Sequence, residues 1–351
     1  MTLVSVVVPV YFNAASLRSL VFRLRNVATC IPEVDFEFVF VDEGSGDESF
    51  SILKEEILAD GRIKAVRLSR NFGNNAAVLA GLTYASGHCL VTMSADLQDP
   101  PELIPDMIAR WQQGFEIVVA ARQGRQDPFP TKAFSFIFNR LFKKLVFPEF
   151  PAGGFDFVLM DHRVAKLLVE ISEKNSYLSG QLMWLGFKTE VLHFDRLRRE
   201  GGKSRWTLGK KIKYFIDAFT AFSYLPIRLT SLFGILLAVL GFGYAALIIW
   251  RRLTYAIQVP GFASLIVVVL VLCGTQLFVA GMLGEYLWRV LEETHRRPPF
   301  VVASTHNLDW HESASPGADR RRGEASAATA GAASFRQKEN SDGRKPRSGD
   351  V

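Results

Sequence analysis

LVSVVVPVYFNAASLRSLVFRLRNVATCIPEVDFEFVFVD, residues 3–42, carries two apolar runs rich in β-branched and aromatic residues, one on each side of an amphipathic stretch. Residues 3–10 and 36–42 read as strands and 16–29 as a helix. The alternation continues outward from this unit. Further strands are expected at 63–69, 89–94, 116–121 and 188–194, with a helical pattern at 102–113. Strands that are apolar almost throughout and separated by helices imply a largely parallel sheet covered on both faces, hence an α/β fold. Such folds bind ligands off the carboxyl ends of their strands, which directs attention to 9–13, 42–47, 69–73 and 94–99.

The 351 residues are 49% hydrophobic and 22% charged, which excludes collagenous, wholly disordered and disulfide-stapled classes. Residues 229–250 run without a charge, and at 1.5 Å per residue they match the roughly 30 Å core of a bilayer. A second apolar run, 264–287, is marked only by Gln276 and Glu285 near its far end. Two spans return the chain to its starting side. The net charge of +6 is concentrated beside them. Lys203, Arg205, Lys210, Lys211, Lys213 and Arg228 precede the first span, and Arg289, Arg296 and Arg297 follow the second. This bias places the amino-terminal domain and both termini in the cytoplasm of a multi-pass protein of the cell (inner) membrane, with Arg251 and Arg252 in the link arguing mildly the other way. It also speaks against nucleic-acid binding. Cys30, Cys89 and Cys273 lie far apart and suggest neither a zinc site nor a disulfide framework. The first ten residues lack a basic start and read as a strand, not a signal peptide. Aromatic stripes backed by basic residues at about 132–147 and 207–224 suit helices lying in the membrane interface, with ordinary core helices as the alternative. The domain reading is therefore 1–225 cytoplasmic, 226–292 membrane, and 293–351 a largely disordered cytoplasmic tail.

FVDEGSGDES (40–49) and MSADLQDPPE (93–102) put acids at strand ends. Acids in such places suit two tasks: accepting hydrogen bonds from the base and ribose of a nucleotide, and holding a hard cation against a diphosphate. Asp42 suits the first and Asp96 the second. The alternative is that each caps the following turn or helix.

With VVVPVYFN (6–13), RNFGNNAAVLAG (70–81), GFDFVLMD (154–161) and GKSRW (202–206), these segments resemble glycosyltransferase family 2, and within it the polyprenyl-phosphate glycosyltransferases of the dolichol-phosphate mannose synthase type. The resemblance covers about residues 4–298. It implies a nucleotide-diphospho-sugar transferase (GT-A type) domain followed by two membrane helices. It further implies transfer of one sugar, with inversion, from a nucleotide sugar to a polyprenyl phosphate, undecaprenyl phosphate in a bacterium. Carried over position by position, Pro9, Tyr11, Asn13, Asp42, Glu43 and Arg70 belong to the donor site, Asp96 and Gln98 hold Mg2+ or Mn2+, and Asp156 is an active-site acid alongside Asp96. Ser94 stands where many relatives have the first Asp of DxD, Glu43 replaces the second Asp of VDDGS, and Ala14 stands where Glu is frequent.

An alkyl phosphate has a second pKa near 6, so at neutral pH the acceptor is already an anionic nucleophile and needs little help from a base. It needs cations. Arg122, Lys132 and Ser135 are the expected acceptor-phosphate residues, against the alternative of solvated charges or caps. Lys203 and Arg205, beside Gly201 and Gly202, can close over the donor diphosphate. Two rival functions remain: a processive polysaccharide synthase, disfavoured by GKSRW in place of QxxRW, and a noncatalytic membrane scaffold, suggested by Ser94 and Glu43. A homo-oligomer is left open.

Overall fold

The computed structural model describes residues 1–122, 140, 150–151, 154–171, 177–194, 225–255, 261–295 and 297–308. In chain order its elements are β1 (Thr2–Val10), α1 (Ala14–Cys30), β2 (Val34–Asp42), α2 (Ser49–Ala59), β3 (Ile63–Leu68), α3 (Asn74–Tyr84), β4 (Cys89–Thr92), α4 (Ile104–Gln112), β5 (Ile117–Arg122) and β6 (Phe157–Asp161). There follow α5 (His162–Ile171), α6 (Leu178–Trp184), β7 (Thr189–Phe194), α7 (Leu225–Tyr255), α8 (Phe262–Thr294) and β8 (Val302–His306). The chain divides into two compact units. One comprises Met1–Val91, Ala165–Ser172 and the segment from Pro298, the other Thr92–Val164 and Glu173–Arg297.

In the first unit the strand order is β4-β1-β2-β3-β8. β1, β2 and β3 run parallel, with Val8 opposite Phe40 and Asp42 opposite Arg67. Val4 through Val10 are buried residue after residue, so both faces of β1 are covered, as its unbroken apolar character requires. α3 lies so close to β1 that a Cβ on Gly81 would stand 2.2 Å from Val7 Cγ1. Only glycine allows that approach. In the amino-terminal half of β2 the buried Glu37 accepts hydrogen bonds from Ser5 Oγ, from Ser86 N at 2.6 Å and from Lys64 Nζ at 2.5 Å. Burial pushes its pKa up, but these donors outweigh burial and hold it below the usual carboxylate range. His88 accepts from Leu3 N through Nδ1 at 3.0 Å, a structural role.

β8 pairs antiparallel with β3, Ala65 opposite His306. It lies inside the segment that composition assigns to a disordered tail. The short, half-polar VASTH forms a strand because β3 offers it an unpaired edge, and Asn307 Nδ2 fastens its end to the carbonyls of Gly61 and Ile63, both at 2.8 Å.

In the second unit β5 pairs parallel with β7 and antiparallel with β6, so the sheet is mixed and not purely parallel. β6 falls within GFDFVLMD, which the sequence analysis treats as a motif only. α4 packs on β5 and β6. β4 ends at Thr92, two residues short of expectation, because Ser94 turns aside to bond acidic partners. Arg122 is the last residue of β5, opposite Phe194, whereas the sequence places it just after a strand. α7 continues through Arg251 and Arg252, beyond the expected end of the first span. Among the described residues one helical segment, Ile227–Arg251, is long and apolar enough to cross a membrane. α8 touches α7, with Thr230 Oγ1 3.0 Å from Met282 Sδ, and its Glu285 pairs with Arg289 at 3.2 Å, the helix-end pairing that their spacing suggests. The interfacial segments 132–147 and 207–224 lie outside the described residues, save Arg140.

Candidate active site

In the first unit the loops after β1 and β2 are stitched to one another. Phe12 N donates to Ser45 Oγ at 3.1 Å, Asn13 N to Ser49 Oγ at 3.0 Å and Ala14 N to Asp47 Oδ2 at 3.3 Å. α1 has no side-chain cap of its own, so Asp47 of the neighbouring loop and Ser49 at the start of α2 serve the amides at its start. Asn13 Oδ1 accepts from Tyr11 N at 2.9 Å, which folds the chain sharply after the buried Pro9, and Phe12 takes a left-handed φ of 57° there. A bulky residue in that region is strained, a condition that clusters at ligand-handling loops.

Asp42 ends β2 fully buried. Its carboxylate accepts from Ser45 N at 3.1 Å and faces Arg67 Nε at 3.2 Å. Burial raises its pKa against the pull of Ser45 and Arg67. Arg67 stacks on Phe50, 4.5 Å from the ring centroid, and His306 of β8 meets the same ring edge-on at 5.4 Å. Glu43 is buried, and its N donates to Val10 O at 2.9 Å. Gly44, at φ 71°, admits the backbone of Arg70, whose Cα would stand 3.2 Å from an added Cβ. The Arg70 guanidinium turns onto Phe72, at 4.1 Å. The cation beside Asp42 is therefore Arg67, which the sequence analysis did not select. Its place near the carboxyl end of β3, where the register sets it opposite the last residue of β2, was the available signal.

The second unit assembles Ser94, Asp96, Asp99, Arg122 and Asp156. Ser94 Oγ is 2.8 Å from Asp96 Oδ1 and 2.7 Å from Asp99 Oδ2, and Gln98 N donates to Asp96 Oδ1 at 3.2 Å. The buried Leu97 between them takes φ 60°. Arg122 Nη2 lies 2.8 Å from Asp156 Oδ2 and 3.7 Å from Asp99 Oδ1. The Asp156 side chain is 55% exposed, that of Arg122 11% and that of Asp99 0%. Burial raises the pKa of Asp99, with Arg122 and Ser94 opposing. Burial alone would weaken the charge on Arg122, but Asp156 and Asp99 outweigh it and raise its pKa. Arg122 is thus no solvated surface charge. Asp99, absent from the residues picked out by sequence, is the member of the group buried most completely. Lys132, Ser135, Lys203 and Arg205 lie outside the described residues.

The signature described as glycosyl transferase family 2 matches residues 5–168. The chain is 37% identical over 306 residues to the uncharacterized glycosyltransferase YkcC of Bacillus subtilis, covering 87% of this chain and 94% of that one. It is 34% identical to the uncharacterized glycosyltransferase sll0501 of Synechocystis over 87% of this chain and 96% of that one. It is 32% identical over 304 residues to the SfII prophage-derived bactoprenol glucosyl transferase of Shigella flexneri, covering 86% and 98%. An α/β fold with a mixed sheet and acids at its strand ends, in such company, defines a glycosyltransferase of the nucleotide-sugar kind. The chain belongs to glycosyl transferase family 2.

Proposed function

We propose that this enzyme transfers one sugar from a nucleotide-diphospho-sugar to a polyprenyl phosphate, undecaprenyl phosphate in a bacterium, with inversion at the anomeric carbon. The observation that carries the lipid acceptor is the match along nearly the whole of a bactoprenol glucosyl transferase, in a chain that also holds an apolar helix of spanning length. The C1–O bond to the diphosphate breaks, the nucleoside diphosphate leaves with the electron pair, and a phosphate oxygen of the lipid forms the new bond from the opposite face.

Asp42, with Pro9, Tyr11, Asn13 and Glu43, holds the nucleoside, and Arg70 acts from its loop on the same donor. The acidic group of the second unit suits a divalent cation. Asp96, Asp99 and Asp156 against Arg122 give a formal charge of 1 − 3 = −2. Among the described residues no three His, Cys, Asp or Glu side chains converge on a metal position by themselves. That donor set fits an ion of the Mg2+ or Mn2+ kind, which takes one or two protein oxygens and completes its shell from phosphates and water. Asp96 and Gln98 would hold it, and it supplies positive charge against the departing diphosphate.

The acceptor phosphate is already anionic at neutral pH, so Asp156 orients and need not take a proton. The Arg122 fork has five N–H donors and can serve Asp156 and a phosphate together. Lys132 and Ser135 add to that phosphate site, and Lys203 and Arg205 close over the diphosphate. The segment 226–292, carried by α7 and α8, forms two spans with both ends cytoplasmic. Arg228 in the first turn of α7, Arg289 near the end of α8 and Arg297 beyond it support that orientation. The test is direct: purified full-length protein, undecaprenyl phosphate and a panel of UDP- and GDP-sugars with Mg2+ or Mn2+, the lipid fraction being read by mass spectrometry. A mass increase of one sugar residue is expected. No lipid product with any donor overturns the reading.

A further inference from the structure

Ser94 occupies the place where a carboxylate would serve a metal directly, and the structure gives that serine a definite task. Its hydroxyl sits 2.8 Å from Asp96 Oδ1 and 2.7 Å from Asp99 Oδ2, and its backbone N is 3.4 Å from the same Asp99 oxygen. Asp99 is wholly buried, so it reaches no solvent and cannot touch substrate. Its other oxygen, Oδ1, accepts no hydrogen bond and points toward Arg122 at 3.7 Å. Asp99 therefore grips both sides of the group at once, Asp96 through Ser94 and Asp156 through Arg122.

We infer that Asp99 and Ser94 are positioning residues that fix the Asp96 carboxylate for a divalent cation, the Ser94 hydroxyl bridging two acids in place of the missing ligand. This deepens the proposed function and rests on it. One serine hydroxyl carries one proton, so it donates to one carboxylate at a time, and the two acids share that single donor in place of being served independently. Fixing a ligand is worth most where the ligands are few. An ion held by Asp96 and Gln98 with substrate phosphates has no second protein carboxylate to compensate for a loose Asp96.

The experiment measures Mn2+ binding by electron paramagnetic resonance, with inorganic pyrophosphate present, on the full-length protein in detergent, alongside melting curves and transfer rates. Loss of a group that holds a metal ligand typically weakens affinity by about 10- to 100-fold. Ser94→Ala and Asp99→Asn should each do so, and the double variant should fall no further than the worse single one, because both cut the same bridge. Ser94→Thr keeps the hydroxyl and should restore Mn2+ affinity, which separates positioning from packing. If Ser94→Ala melts like the wild type and binds Mn2+ equally well, the positioning role is refuted. Two losses that multiply in the double variant refute the shared bridge. A wild-type protein that transfers sugar without binding Mn2+ or Mg2+ overturns the metal reading itself, a different result from wild-type binding that the variants leave unchanged.

Discussion

Replacing Arg122 by Gln tests the electrostatic reading most severely. Sequence alone suggests that this change merely weakens the acceptor phosphate. The structure predicts a cost in stability as well, because Arg122 is the cation facing the fully buried Asp99. Without it Asp99 stays charged and uncompensated, which costs about 3–5 kcal/mol when a buried pair is broken, or it takes up a proton. Protonation sets a ceiling. With an unfolded pKa of about 3.9 and 1.36 kcal/mol per pH unit, neutralising Asp99 at pH 7 costs about 4 kcal/mol, and at pH 5 only about 1.5 kcal/mol. The Asp156 partner is half-exposed and adds little. Burial already raises the pKa of Asp99 with Arg122 opposing, so removing Arg122 raises it further: the added deficit opens above the wild type's own folded pKa, grows with pH up to that of the variant, and vanishes in acid. At about 2–4 °C per kcal/mol for a domain of this size, the ceiling of about 4 kcal/mol corresponds to a variant melting up to roughly 16 °C below the wild type at pH 7, with most of the gap closing by pH 5. Melting in detergent, followed by circular dichroism at both pH values, measures it. A variant within about 2 °C of the wild type at pH 7, or a gap that stays constant down to pH 5, would refute the reasoning.

Asp96→Asn should leave melting unchanged yet slow transfer by about 100-fold or more, since several kcal/mol of charge stabilisation depend on the ion; normal turnover would remove Asp96 from the mechanism. Glu37→Gln should cost about 3 kcal/mol at pH 7 through the loss of charge-assisted bonds to Lys64 and the two serines. Because its folded pKa is depressed, that loss should fade as pH falls below about 4 in a pH series of melting curves. Gly81→Ala should destabilise by about 1–3 kcal/mol or more, as its methyl would collide with Val7, and denaturant titration would show it.

The parallel strands of the first unit were legible because burial on both faces leaves an unbroken apolar run, as in SVVVPV and FVFV. β8 was not. An edge strand buries little, and VASTH alternates too weakly to stand out from a polar tail. β6 was hidden for another reason: five residues, four of them apolar in a row, carry no periodicity that separates a short strand from the start of the helix that follows. At the site, the acids at the ends of β2 and beyond β4 could be read from their places after apolar runs. The burial of Asp99 could not, since DLQDPPE has no apolar periodicity and nothing local reveals that its fourth residue turns inward. Nor does any spacing announce that Arg122 meets Asp156, 34 residues away along the chain.

The pairing of β8 with β3 also bears on how the protein is made. Ile63 and Asn307, joined by a hydrogen bond, are 244 residues apart. At roughly 5–20 residues per second of synthesis, the free edge of β3 waits some 12–50 s for its partner, while both long apolar helices emerge from the ribosome in between. During that interval β3 offers a bare row of amides and carbonyls to any strand that arrives first. Newborn chains of this enzyme thus pass through a stage in which holdase chaperones have a defined target, and stalled synthesis before residue 302 would release a protein whose sheet is open on one side.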